Sequence, residues 1–132
     1  MEPGDVILIT RISPGKSIIS NVRSAINQDL KIAKPKFKTT SKFINYFFNA
    51  IERDCIKKAS GTTVLGITLN NLNELKIPEL NIEEQNNIVQ EIESRLSVAD
   101  KMEESIKQSL QQTEALRQSI LKKAFEGKLI EN

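Results

Sequence analysis

The residues of this chain that could do chemistry are few, and their spacing does not favour catalysis. Histidine is absent from the 132 residues, so neither a Ser–His–Asp triad nor a Cys–His pair can form within the chain. The carboxylate pairs Glu83/Glu84 and Glu103/Glu104 fall at helical spacings, and we interpret them as surface charge rather than as acid–base pairs. The sequence therefore predicts a non-catalytic protein.

Metal and cofactor sites have equally little support. One cysteine, Cys55, can build neither an internal disulfide nor a Cys-x-x-Cys zinc site, and its apolar helical surroundings predict a buried structural thiol. Neither G-x-G-x-x-G nor G-x-x-x-x-G-K-[ST] occurs, so no dinucleotide or P-loop site is indicated. We therefore expect no metal and no cofactor on this chain.

Composition permits one small core and suggests where a partner could bind. No run of 18 apolar residues occurs, and the N-terminus lacks the basic start of a signal peptide, so we expect a cytoplasmic protein. Residues 1–80 carry 12 Lys and Arg against 7 Asp and Glu, whereas residues 81–132 carry 7 against 10. The excess of five positive charges on the first part favours a polyanionic partner there.

Short elements are predicted before residue 81. Apolar runs and alternation predict three strands, at residues 6–9, 16–22 and 30–35. Thr39, Thr40 and Ser41 offer caps for a helix over 42–59, and Thr68 can cap a further helical turn. We interpret the segment 60–67 as a loop, or as a loop with a short strand.

The last third of the sequence predicts one long helix. Asn81 and Glu84 have the spacing of a capping box, and Lys122, Lys123 and Gly127 are typical of a helix C-terminus. Apolar positions recur with a mean step of 3.5 residues, the coiled-coil period. This apolar stripe comprises Val89, Ile92, Leu96, Ala99, Met102, Ile106, Leu110, Thr113, Leu116, Ile120 and Ala124.

A helix carrying this stripe extends on the order of 50 Å, at about 1.5 Å per residue. Because the rest of the chain is too small to cover such a length, we predict a helix–helix interface with a partner, most simply in a homodimer. The alternative is that the stripe packs on the chain's own domain. The predicted fold class is α+β, with a small domain of short strands and a helix over 1–80, a coiled-coil helix over 81–127 and a tail over 128–132.

Two segments resemble the specificity subunits of type I restriction–modification systems. TLNNLNELKIPELNIEEQNNIVQEIE (68–93) resembles the junction between a target-recognition domain and its spacer helix, and LRQSILKKAFEGKLI (116–130) resembles the end of that helix. GDVILITR, AINQDLKI and SGTTVLGIT further upstream resemble the second half of the recognition domain. The resemblance covers essentially the whole chain and implies the C-terminal part of such a subunit.

The resemblance implies a DNA specificity role without catalysis. In this family two spacer helices pair antiparallel and hold two recognition domains at a fixed separation. The implied partners are double-stranded DNA, methyltransferase subunits that bring S-adenosylmethionine, and a restriction subunit that brings ATP-driven translocation. A complete recognition domain of the family is longer than residues 1–80, so the resemblance implies only part of a DNA-reading surface here.

Within this resemblance, six residues suit DNA contact, which requires phosphate anchors and side chains at base edges. They are Arg11 and Lys16 beside the Pro14–Gly15 turn, the amides Asn27 and Gln28, and the hydroxyls Thr62 and Thr63 after Gly61. Each also has a purely structural interpretation: a solvated strand end, an Asx turn or the start of a loop. A solvated basic edge is the simpler interpretation of Lys31, Lys34, Lys36 and Lys38.

Two rival functions remain open. A coiled-coil adaptor whose small domain binds protein explains the long helix, but it does not explain the basic first part. A stand-alone nuclease or methyltransferase lacks the catalytic residues. Salt-dependent retention on DNA separates the adaptor from the specificity subunit, because phosphate contacts weaken steeply as salt rises.

Overall fold

A three-stranded antiparallel sheet forms where the apolar pattern predicts strands. The computed structural model describes residues 1–61 and 63–129, and in it β1 (Val6–Ile9), β2 (Ser17–Ile19) and β3 (Leu30–Ala33) pair in the order β2-β1-β3. In β1, Ile7 lies opposite both Ile18 of β2 and Ile32 of β3. Placing the most apolar strand in the centre buries Val6, Ile7 and Leu8.

Two short helices replace the single helix predicted over 42–59. Thr40 caps α1 (Ser41–Ala50), its side-chain oxygen accepting the backbone N–H of Phe43 at 3.3 Å. Ile51 has φ −99° and ψ 11°, outside the regular helical range, so α1 ends there and α2 (Glu52–Lys58) begins. The prediction of one continuous helix was therefore wrong, because Ile51 leaves the helical conformation.

The core lies between the sheet, α1 and the start of the long helix. Its buried members are Val6, Leu8, Phe43, Ile44, Phe48 and Val89. The rings of Phe47 and Phe48 pack edge to face with centroids 5.4 Å apart. Val89 was predicted to belong to the helix–helix interface, but it is only 6% exposed within this core, so that assignment needs correction.

The helix α3 (Leu69–Asn73) begins at the predicted cap. Thr68 accepts the backbone N–H of Asn71 through its hydroxyl oxygen at 3.2 Å. Between α2 and α3 the chain forms isolated bridges, with Gly66 pairing both Arg11 and Ser60. The described residues of segment 60–67 thus form a loop with isolated bridges rather than a loop with a short strand.

The long helix α4 (Ile82–Phe125) has both of its predicted ends. Asn81 accepts the Glu84 N–H at 2.8 Å, and the Glu84 carboxylate accepts the Asn81 N–H at 3.2 Å, which completes the capping box. At the other end, Gly127 has φ 72° and the N–H of Lys128 donates to the Lys123 carbonyl at 2.8 Å. This is a Schellman motif, which satisfies carbonyls that would otherwise lack a partner.

The chain divides into two compact units, Met1–Gln90 and Glu91–Asn132. The first contains the sheet, the short helices and the beginning of α4, which continues through the second unit. The α+β prediction is confirmed by this architecture. Among the described residues, no helix is both long enough and apolar enough to cross a membrane.

Candidate nucleic-acid interface

Two of the predicted DNA-contacting segments meet at the C-terminal end of β1. Thr10 follows β1, and both its backbone N–H and its hydroxyl donate to the Asp29 carbonyl at 2.8 Å. The Arg11 guanidinium lies 3.3 Å from the Asp29 carboxylate. These bonds hold the loop containing Asn27 and Gln28 beside Arg11.

A third segment reaches the same place through backbone bonds. The N–H of Ile12 donates to the Leu65 carbonyl at 2.8 Å, and the N–H of Ile67 donates to the Thr10 carbonyl at 2.8 Å. Arg11 also pairs with Gly66 as an isolated bridge. The described part of segment 60–67, which includes Thr63, is thereby joined to the end of β1.

The two predicted DNA-contacting cations, Arg11 and Lys16, differ in their contacts within the protein. The Arg11 side chain is 49% exposed and forms the ion pair with Asp29, which still leaves guanidinium N–H groups for other acceptors. Lys16 is exposed just after the Pro14–Gly15 turn. This turn is fixed by close packing, since a Cβ on Gly15 would lie 2.5 Å from the Cβ of Cys55.

The polar candidates have mixed placements. The Asn27 side-chain oxygen accepts the Asp29 N–H at 3.0 Å, the Asx turn that the sequence left open as its structural role. Gln28 and Thr63 are exposed, whereas Thr62 lies outside the described residues. Five of the six candidates therefore have described positions, all on segments that meet at the end of β1.

Of the lysines of the predicted basic edge, Lys31 lies within β3 and the other three follow it. Lys34, Lys36 and Lys38 alternate along the chain and are exposed, whereas Lys31 is partly buried and donates to the Gln28 carbonyl at 2.7 Å. Lys31, Lys34 and Lys36 also line an open groove of about 700 Å³. Lys31 thus links this basic edge to the loop that carries Gln28.

Sequence reasoning missed the conformation of Ile12, at the tip of the loop between Arg11 and Lys16. Ile12 is a non-glycine residue with a positive φ, 70°, and its side chain is 78% exposed. The left-handed region disfavours β-branched residues, and such strain typically costs about 1–3 kcal/mol. The Pro14–Gly15 signal predicted a turn here, but nothing in the sequence indicated which residue would adopt the strained conformation.

Sequence reasoning also missed the contacts of Gln85, which is fully buried in the first turn of α4. Its side-chain oxygen accepts the Thr39 hydroxyl at 2.9 Å and the Thr40 N–H at 3.0 Å. Its amide group donates to the carbonyls of Lys38 at 3.1 Å and Leu80 at 2.8 Å. Four bonds satisfy every donor and acceptor of this side chain, and they join the start of α4 to the segment leading into α1.

A signal for Gln85 was present in the sequence. Gln85 precedes Val89 by four residues and so shares its face of the helix. A polar residue on an otherwise apolar face predicts either exposure or a fully bonded buried side chain, and only the tertiary structure distinguishes the two.

Cys55 is the buried structural thiol that the sequence predicted. Burial raises the pKa of its thiol, the Asp54 carboxylate raises this pKa further, and Lys58 opposes them by lowering it. The thiol therefore stays protonated near neutral pH and is a poor nucleophile. Over residues 1–61 and 63–129 there is no group of three or more Cys, Asp or Glu side chains suited to a metal.

Most of the apolar stripe is exposed in this chain. The large exposed members are Leu96, Met102, Ile106, Leu110, Leu116 and Ile120. Ala99 is also exposed, whereas Ile92 is partly buried. The stripe thus begins in the core at Val89 and continues as uncovered apolar surface from Leu96 onward.

Comparison with known proteins identifies relatives of one kind. A family model described as the type I restriction modification DNA specificity domain matches residues 1–112. The specificity subunit of the type I restriction enzyme EcoDI from Escherichia coli is 31% identical over 94 residues, which cover 71% of this chain and 19% of that protein.

Solved structures agree with the sequence comparison. A chain from a structure of type I R-M system assembly and conformational transition has a TM-score of 0.83 at 26% identity, over 98% of this chain and 32% of its own length. The type I restriction–modification S subunit from M. genitalium has a TM-score of 0.57 at 25% identity, over 96% of this chain and 33% of its own. This chain thus spans about a fifth of the curated relative and a third of each solved chain. On this evidence the chain belongs to the type I restriction modification DNA specificity domain family.

Proposed function

We propose that this chain supplies DNA contacts and helical spacing to a type I restriction–modification specificity subunit in the cytoplasm. Residues 1–80 contact duplex DNA and residues 81–127 form the spacer helix, whereas residues 130–132 of the predicted tail over 128–132 lie outside the described residues. Specificity subunits are non-catalytic, and catalysis lies in other subunits of the type I system. DNA methylation and cleavage therefore belong to the methyltransferase and restriction subunits that we propose as partners.

The convergence of three chain segments at the end of β1 carries the DNA-binding proposal. The end of β1, the Asn27–Asp29 loop and segment 60–67 are separate in sequence and are joined there by backbone and side-chain hydrogen bonds. Arg11 and Lys16 supply cations for phosphate oxygens, while Gln28 supplies an exposed amide suited to base edges. Asp29 reduces the local positive charge, so we expect weak binding.

The exposed apolar stripe supports the spacing role of α4. We propose that Leu96, Met102, Ile106 and Leu110 pack against the same face of a second copy, antiparallel to the first. Side chains of this size gain roughly 1.5–3 kcal/mol each when fully buried, so their pairing can hold two recognition units together. The polar face of α4 remains available for other subunits.

The DNA-binding proposal is tested by titrating the 132-residue chain into a fluorescently labelled duplex of mixed sequence at several salt concentrations. We expect weak binding with little sequence preference and a negative slope of log K against log salt. The double variant Arg11→Gln/Lys16→Gln should make that slope shallower by about 2, one for each lost phosphate contact.

The matched control removes two exposed lysines of α4, as Lys101→Gln/Lys107→Gln, which makes the same charge change outside the proposed interface. This variant should keep the wild-type slope. Absence of DNA binding at low salt would favour the coiled-coil adaptor instead. Tight, salt-insensitive and sequence-specific binding would show that residues 1–80 are a complete reading surface.

A further inference from the structure

The conformation of Ile12 is poorly suited to its residue type. Its φ is 70°, and the Ser13 N–H donates to the Arg11 carbonyl at 2.8 Å, closing a three-residue turn around it. A γ-turn with positive φ at its centre is rare and strained. Glycine adopts this region freely, whereas a side chain branched at Cβ is disfavoured there.

The surrounding fold holds the turn on both sides. The Ile12 N–H is bonded to the Leu65 carbonyl, and the Gly15 N–H is bonded to the Ile9 carbonyl at 3.0 Å. These bonds fix the backbone but do not require isoleucine. Because the side chain is 78% exposed, its burial recovers little of the strain. Neither backbone preference nor packing within this chain accounts for isoleucine at position 12.

Ile12 lies among residues suited to a polyanion. Arg11 precedes it, Lys16 follows the same loop, and Leu65, to which it is bonded, is two residues from the exposed Thr63. A protruding apolar side chain beside cations matches the two layers of a DNA groove, with phosphates at the rim and base edges at the floor.

We propose that Ile12 is a base-contacting residue, whose side chain makes apolar contact with DNA bases while Arg11 and Lys16 bind the flanking phosphates. The inference rests on the proposed DNA-binding function. It adds a residue that contacts the bases, whereas Arg11 and Lys16 contact the phosphates. Two arrangements share this chemistry: contact with a thymine methyl group in the major groove, or insertion between base steps from the minor groove.

The chain has no tryptophan, so Ile12→Trp introduces a single indole at this position, which can be excited selectively over Tyr46. The variant is titrated with a mixed-sequence duplex and with the same duplex carrying 5-bromouracil in place of thymine, while anisotropy of the labelled DNA reports binding separately. We expect indole emission to change on binding, and the heavy bromine atom to quench it further if the indole lies near the thymine 5-position.

Val22→Trp is the matched control, since Val22 is exposed and lies beyond the opposite end of β2 from Lys16. Its emission should not respond to either duplex. A response of Ile12→Trp to both duplexes without extra quenching supports insertion between bases. If anisotropy shows that DNA binds but the emission of Ile12→Trp does not change, the inference is overturned and the proposed function stands. If the anisotropy of the labelled DNA shows no binding at all, the proposed function itself is wrong.

Ile12→Gly provides a test that does not depend on accommodating an indole. Glycine adopts a positive φ without strain, so we expect an unchanged or higher melting temperature. Because the apolar side chain is lost, we expect roughly fivefold weaker DNA binding. The salt slope should not change, because no phosphate contact is lost. Val22→Gly should leave DNA affinity at the wild-type value. A lower melting temperature for Ile12→Gly with unchanged DNA affinity would show that Ile12 serves the fold and would overturn the inference.

Discussion

The same apolar periodicity runs along α4, but it is buried by the globular unit at the start of the helix and exposed further along. In its first two turns, Gln85 and Val89 are buried in the globular unit, one with four hydrogen bonds and the other in the core. Further along, Ile106 and Leu110 occupy equivalent positions of the stripe but are 69% and 70% exposed. A single continuous helix thus has one end covered by its own domain and one end with uncovered apolar surface.

This difference separates two sources of free energy. Burial of Val89 and the bonds of Gln85 contribute to folding of the unit Met1–Gln90. The exposed stripe contributes nothing comparable until another surface covers it, since the hydrophobic effect depends on apolar area removed from water. Substitutions at the first end should therefore change stability, and substitutions at the second should change association.

The largest effect is expected at the exposed end. Ile106→Asp with Leu110→Asp would place unpaired charges in the proposed helix–helix interface, where an unbonded polar group alone costs roughly 2–7 kcal/mol. Two such groups should weaken self-association by about a thousandfold or more, since about 1.4 kcal/mol corresponds to a tenfold change. Sedimentation should show wild-type dimers and variant monomers at the same concentration.

The matched control places the same charges off the stripe, as Gln108→Asp with Gln112→Asp, and should remain dimeric. Helicity by circular dichroism distinguishes dissociation from loss of the helix. A wild-type chain that stays strictly monomeric at high micromolar concentration would show that the stripe does not pair with a second copy.

A smaller effect is expected at the buried end. Gln85→Leu keeps the approximate size of the side chain but leaves the Lys38 and Leu80 carbonyls and the Thr40 N–H without their partner. Each unsatisfied buried group typically costs about 1–3 kcal/mol. We expect the free energy of unfolding to fall by about 3 kcal/mol in chemical denaturation, with the dissociation constant of the dimer unchanged for the folded fraction.

The same substitution at the exposed Gln90 serves as the control for Gln85. Gln90→Leu should change stability by a few tenths of a kcal/mol at most, as is usual for surface positions. If both variants unfold at the same denaturant concentration, the four hydrogen bonds of Gln85 do not hold the start of α4 against the domain.

Local signals were predictable from the sequence because each lies within a few residues. The strand β1, the caps at Thr40 and Thr68, the capping box at Asn81 and the glycine at the end of α4 all depend on neighbours within about one helical turn. The same holds for the apolar period of α4, which is a property of spacing alone.

Features set by distant residues were not predictable in the same way. Gln85 bonds to Lys38, Thr39 and Thr40, which precede it by 45 to 47 residues. Val89 is buried in a core cluster whose other members lie more than 40 residues earlier in the chain, such as Leu8 and Phe48, and the turn at Ile12 depends on its hydrogen bond to Leu65. Of the candidate interface, the sequence identified the residue types on three segments, but their convergence needed the tertiary pairing of β1.

The smallest effect is expected at the capping box that begins α4. Its contribution is tested by the direction in which two Asn→Ala substitutions change the free energy of unfolding. Asn81→Ala removes the oxygen that accepts the Glu84 N–H, so unfolding free energy should fall by roughly 1 kcal/mol. Asn86→Ala, five residues further along the chain and exposed, should instead raise stability slightly, because alanine has the higher helix propensity. Hydrogen exchange at the Glu84 amide should accelerate in Asn81→Ala only, while Gln85 keeps its buried bonds. Equal shifts for the two variants would mean that the capping box contributes nothing and that the contacts of Gln85 and Val89 alone fix where α4 begins.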